Sequence, residues 1–154
     1  MMFKANDIKM FDFQATAWAS PAYDIFYFLL TSVNDEVKVE NFESLIEFYH
    51  QELSSGLNKL EYEAHIPTLE ELHMDLMDKG TFSAVCIMFM LFIFKYDCKE
   101  ELNLQMIMGQ VDDKDEMARV YQRIYGNETY MKALKAWLPF FDKKGFLDVR
   151  IDQN

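Results

Sequence analysis

Residues 82–94 read FSAVCIMFMLFIF, thirteen consecutive positions without a charge. A helix rises 1.5 Å per residue, so this run falls short of the roughly 20 residues that cross a bilayer. Lys95 and Asp97 follow at once. The run therefore predicts a buried core helix and no membrane span, and the rest of the chain must supply a core around it. With 154 residues, of which 51% are apolar, the chain has enough material for one compact domain.

The charge balance excludes other classes. Lys and Arg number 15 against 26 Asp and Glu, a net charge of −11, and no basic cluster stands out to track phosphates. Direct nucleic-acid binding is not expected. Two cysteines, Cys86 and Cys98, are too few for a disulfide scaffold and lack the spacing of a zinc site, with Cys86 reading as core filler. The opening MMFKAND has no basic region, apolar run and small-residue cleavage site, so a cytosolic chain is expected.

Along the chain, IKMFDF at 8–13 reads as a strand with no obvious partner, the two or three residues before Lys4 being the only other candidate. Ser20-Pro21 caps and opens a helix over AYDIFYFLLTSV that is apolar on nearly every side, which places it in the middle of a domain. Asp24 lies in its first turn, where the helix dipole favours a carboxylate. Val39, Phe42, Leu45, Ile46, Tyr49, Leu53, Leu57 and Leu60 predict one long amphipathic helix over 39–60. Thr68 and Glu71 form a capping box that starts a helix through about Lys79, and Gly80 breaks it before the apolar run.

Residues 99–115 are irregular, with GQVDDKDE a polar loop. Met117, Val120, Tyr121 and Ile124 define a further helix face, ended by Gly126-Asn127. A last helix begins near Glu128 and carries Tyr130, Leu134, Trp137, Leu138 and Phe141 on one side. Pro139 is expected to kink or interrupt it, and Lys143, Lys144 and Gly145 to stop it. The expectation is one short strand followed by about six helices.

Two aspartates, Asp12 and Asp24, stand in the apolar stretch 8–30, and a carboxylate in such company needs a partner. Asp12 follows the strand. It is either a turn aspartate that accepts backbone hydrogen bonds or a strand-end carboxylate of the kind that holds Mg²⁺ in phosphoryl transfer. His50, His65 and His73 form no metal set with the cysteines, and surface or partly buried placement is expected for all three. No Ser or Cys stands beside a recognisable base, and no glycine-rich phosphate loop exists among five glycines.

IKMFDFQATAWASPAYDIFYFLLTSV resembles a segment of the ecdysteroid kinase-like family, also called CHK kinase-like proteins, relatives of choline kinases and aminoglycoside phosphotransferases. The shared features are an apolar strand, D-F-Q, a short spacer, S-P-A-x-D and an aromatic-leucine run. IPTLEEL, the Gly80 junction and LPFFDKKGFLD are similar to the family in the same order, which extends the resemblance over nearly the whole chain. It implies a mostly α fold, the C-terminal helical lobe of a protein-kinase-like fold with one short N-terminal strand, spanning residues 1–154. It also implies transfer of the ATP γ-phosphate to a small-molecule hydroxyl, with ecdysteroids the name-giving substrates. By the same resemblance Asp12 is the Mg²⁺-binding aspartate, and Asp24 braces the catalytic loop. The family's catalytic loop, H-G-D-x-W-x-x-N, precedes D-F-Q, and the 154 residues contain neither it nor the nucleotide-gripping lobe. The expectation is thus a part that is inactive alone, with a non-catalytic helical interaction module derived from the same lobe as the alternative.

Overall fold

The structure, a computed structural model, describes residues 2–4, 7–9 and 16–148. Two short strands, β1 (Met2–Lys4) and β2 (Asp7–Lys9), pair antiparallel in the register Met2↔Lys9, Phe3↔Ile8, Lys4↔Asp7. The strand expected over 8–13 is therefore seen over 7–9, with residues 10–13 outside the described part. It is not an orphan: the residues up to Lys4 supply its ladder, so two strands replace the single one expected.

All other regular structure among the described residues is helical, as the sequence implies. Helix α1 (Pro21–Ser32) starts where Ser20 accepts a hydrogen bond from the Ala22 N–H and Pro21 takes the first turn. Its buried side is Ala22, Ile25, Phe26, Leu29 and Leu30. Asp24, Tyr27 and Phe28 are exposed, so α1 is not enclosed on nearly every side.

The single helix expected over 39–60 is two. α2 (Asp35–Glu40) is capped by Asn34, whose side chain accepts from the Glu36 N–H, and α3 (Phe42–Lys59) follows after Asn41 leaves helical geometry at φ −115°. Only Phe42 and Ile46 of α3 are fully buried, and the face loosens toward an exposed Leu60. The apolar spacing is real, but among the described residues no element packs over its C-terminal half closely enough to bury it.

α4 (Leu69–Asp78) carries the expected capping box, with Thr68 Oγ1 accepting from the Glu71 N–H and Glu71 Oε2 from the Thr68 N–H. The chain then bends by 58° into the apolar run. This consists of α5 (Gly80–Val85), a π-helical segment (Cys86–Leu91) and α6 (Phe92–Phe94). Gly80 sits there because a Cβ would come within 2.7 Å of the Phe146 Cα. Tyr130 Oη donates to the Ile87 carbonyl inside the π segment at 3.3 Å. The run is not buried all round, since Met88 and Phe89 remain 55% and 56% exposed. Among the described residues, no single helix is long and apolar enough to cross a membrane, although α4 with the bent run passes by length and composition as a broken pair.

A short α7 (Leu104–Ile107) precedes α8 (Lys114–Tyr125), which Asp113 caps and which buries Met117, Val120 and Ile124. Helix α9 (Glu128–Lys144) runs on through Pro139 without interruption and ends at Gly145, in the left-handed region at φ 72°. The core gathers where α1, α3 and α9 meet. The Phe26 ring lies 5.2 Å from Phe146 and 6.3 Å from Phe141, and Phe42 lies 5.3 Å from Phe140.

Candidate functional site

Asp12 lies outside the described residues. Asp24, twelve positions on, is exposed on the first turn of α1, so its charge needs no buried partner. It faces α3: burial pushes the Tyr49 phenol above its ordinary value, and the Asp24 carboxylate adds to that. Ser20 ties the same helix end to α4, its hydroxyl donating to Asp75 Oδ2. Ser20 thus holds the start of α1 against α4.

The histidines are exposed or partly buried, as expected, and stand apart from one another. His50 Nε2 donates to the Pro67 carbonyl at 2.8 Å, His65 meets Glu71 at 2.8 Å, and His73 lies 3.8 Å from Glu43. Among the described residues, no three His, Cys, Asp or Glu side chains converge to hold a metal. Mg²⁺ therefore finds no ligand set among them. Cys86 is buried, and burial pushes its thiol up to about 11, which removes it as a nucleophile.

The most unusual polar cluster went unforeseen. Lys38 of α2 has 0% of its surface exposed. Its Nζ contacts Asp35 Oδ1 at 2.8 Å, donates to the Leu30 carbonyl at 2.9 Å, and lies 4.6 Å from the centre of the Trp137 ring. Lys95 Nζ reaches Asp35 Oδ2 at 2.7 Å, and Trp137 Nε1–H donates to Asp35 Oδ1 at 3.3 Å. Burial pushes the Lys38 ammonium below the usual lysine value against the opposing pull of Asp35. Burial by itself would raise the Asp35 carboxyl, but hydrogen bonds from Lys38 and Lys95 hold it below the usual carboxylate range. One carboxylate thereby joins α1, α2, the end of α6 and α9. The signal available in sequence was a lysine between two valines, V-K-V, three residues after an aspartate.

A second polar region lies between residues 96–100 and α8. A cavity of about 640 Å³ is lined by Glu100, Glu116, Arg119, Gln122 and Arg123. Arg123 pairs with Glu100, which leaves that guanidinium neutralised. Alongside, Asp97 accepts from Thr129 and Asn127, and these bonds hold its carboxyl below the usual range. Cys98 accepts a weak bond from Asn127 at 3.6 Å. This arrangement positions a loop on a helix and sets no nucleophile beside a base.

With that geometry in view, comparison with known proteins finds a likeness over the opening of the chain. The ecdysteroid kinase-like family model matches residues 1–62, and it bears out the resemblance carried by D-F-Q and S-P-A-x-D. The match covers β1 through α3 and stops short of the later stretches, IPTLEEL and LPFFDKKGFLD, over which the resemblance was also drawn. No curated protein and no solved structure matches the chain.

Proposed function

We propose that the chain is the C-terminal part of an ATP-dependent phosphotransferase acting on a small-molecule hydroxyl, with ecdysteroid-like compounds as the substrate class and Asp12 as a Mg²⁺ ligand. The observation that carries this reading is the family match over residues 1–62, which takes in Asp12, Ser20, Pro21 and Asp24. Phosphoryl transfer depends on positioning and charge stabilisation by several groups at once. The 154 residues include no H-G-D-x-W-x-x-N, so Asp12 has neither the base nor the second ligand of that motif beside it in this chain. In this reading the described residues do support work. Ser20 and Asp75 fix the start of the helix that follows D-F-Q, and Asp35 fixes its far end through Lys38 and the Leu30 carbonyl. A cytosolic setting belongs to the same proposal. The exposed apolar face of residues 80–94 favours a second reading, a non-catalytic interaction module derived from the same lobe.

A thermal melt of the chain with Mg-ATP tests the first reading. No saturable stabilisation is expected from this chain alone, and a clear shift abolished by Asp12→Ala would show a working nucleotide site and overturn the claim of inactivity. The coding DNA before Met1 separates the two readings. An in-frame H-G-D-x-W-x-x-N supports the phosphotransferase part, whereas its absence leaves the interaction module.

A further inference from the structure

The least polar run in the sequence does not disappear into the core. Cys86, Ile87, Leu91 and Phe92 turn inward, while Val85, Met88, Phe89, Met90, Ile93 and Phe94 are all exposed on the other side. The Tyr27 ring of α1 meets Phe94 edge to face at 6.4 Å and carries the apolar surface onto a second helix.

The aromatic members, Tyr27, Phe89 and Phe94, present roughly 150–250 Å² each and the other four somewhat less, and between 39% and 56% of each residue is exposed, so the face offers on the order of 700 Å². That exceeds the roughly 300–600 Å² of the largest apolar patch on an ordinary monomer. It approaches the roughly 800 Å² that each partner contributes to a stable interface. Its composition narrows the kind of partner. Transient interfaces are about as polar as the rest of a protein surface, whereas permanent homodimer interfaces look like a core cut in half. No charged residue lies between Gly80 and Phe94.

We propose that the outer face of residues 80–94, with Tyr27, is an isologous interface that closes against the same face of a second copy of this chain. A two-fold pairing lets one apolar face cover itself and leaves nothing open for further addition. The uncharged strip is also where two copies, each with a net charge of −11, approach with least repulsion. Salt screens that repulsion and tightens the dimer. The inference does not depend on the phosphotransferase reading.

Sedimentation velocity of the full chain across micromolar concentrations tests it. The expected result is a concentration-dependent species of twice the chain mass, with severalfold tighter association at 0.5 M than at 0.05 M salt. Phe89→Glu and, independently, Met88→Lys convert it to monomer with an unchanged circular-dichroism spectrum, while Phe48→Glu on α3 leaves it dimeric. A readout without substitution is peroxide oxidation of Met88, which slows at dimer-forming concentrations. A chain that stays monomeric, a dimer indifferent to both face variants, or open-ended polymers would overturn the proposal. So would binding of monomers to neutral phosphatidylcholine vesicles, because the face would then be a lipid contact.

Discussion

At Lys38 one ammonium gives up all contact with water, and the group that makes this tolerable is Asp35. The two partners are not equivalent. Asp35 has a second cation in Lys95 and retains some exposure, whereas Lys38 has no other carboxylate in contact with it among the described residues. Removing one side of a buried pair leaves an uncompensated charge, so Asp35→Ala is expected to cost about 3–5 kcal/mol. Lys38→Met keeps the length, loses the charge and leaves Asp35 paired, and a distinctly smaller loss is expected. Urea titrations of both variants check the order, and an equal loss would show that the pair has no such asymmetry. The pH dependence follows from sign. The folded-state carboxyl of Asp35 is held below 3.8, so its contribution is complete above that value and is lost as pH falls further through the folded value. Wild type and Asp35→Asn are therefore expected to differ in Tm at pH 6 and to converge in strong acid. Lys38 runs the other way. Its ammonium is depressed below 10.5, so its burial penalty eases as pH rises toward that value, and alkali does not open the cluster.

Among the elements, two adjoining junctions separate local from tertiary control. Thr68→Ala removes one half of a capping box on an exposed helix end and is expected to cost about 1 kcal/mol. Gly80→Ala, twelve residues on, should gain up to about 1 kcal/mol from helix propensity alone. It should nonetheless destabilise the protein more than Thr68→Ala does, by about 1–3 kcal/mol, because the new Cβ would stand 2.7 Å from the Phe146 Cα and 2.8 Å from its carbonyl oxygen. A rise in Tm for Gly80→Ala would show that α5 and Phe146 are free to separate. The caps at Ser20, Thr68 and Gly145 were legible in sequence because each is written in three or four neighbouring residues. Gly80 was legible only as a break, since its reason lies sixty-six positions away in Phe146. The same limit explains the misjudged helix over 39–60. Its apolar spacing passes through Asn41 unbroken, whereas in the structure the Asn41 side chain turns back to donate to the Val37 carbonyl and α2 docks through Lys38, so two helices form. The outer face of 80–94 misled for a complementary reason: composition reports that a helix is apolar all round, but not whether the chain supplies enough neighbours to cover it.

For the molecule as a whole, the family-matched opening and the remainder share one core. Phe26 and Phe42 lie within residues 1–62 but pack on Phe140, Phe141 and Phe146. The support of the candidate site is therefore legible in part, through Ser20 and Pro21. Its partner Asp75 was not, because a serine that both caps a helix and donates to a distant carboxylate leaves only the first role in its neighbours. Around this core the charge is one-sided. A net charge of −11 destabilises a compact state through self-repulsion, and several of the ion pairs that offset it are exposed ones of small value. The Debye length shrinks from about 30 Å at 0.01 M to about 8 Å at 0.15 M, which removes long-range repulsion before it weakens the half-buried Asp35 cluster. Raising sodium chloride from 0.01 to 0.15 M is accordingly expected to stabilise the chain by about 1 kcal/mol, or about 2–4 °C in Tm. Since dimer formation would add a concentration-dependent part, the melt is read at several protein concentrations and extrapolated to dilution. A Tm that falls with salt in that limit would mean that specific ion pairs outweigh the excess of acid.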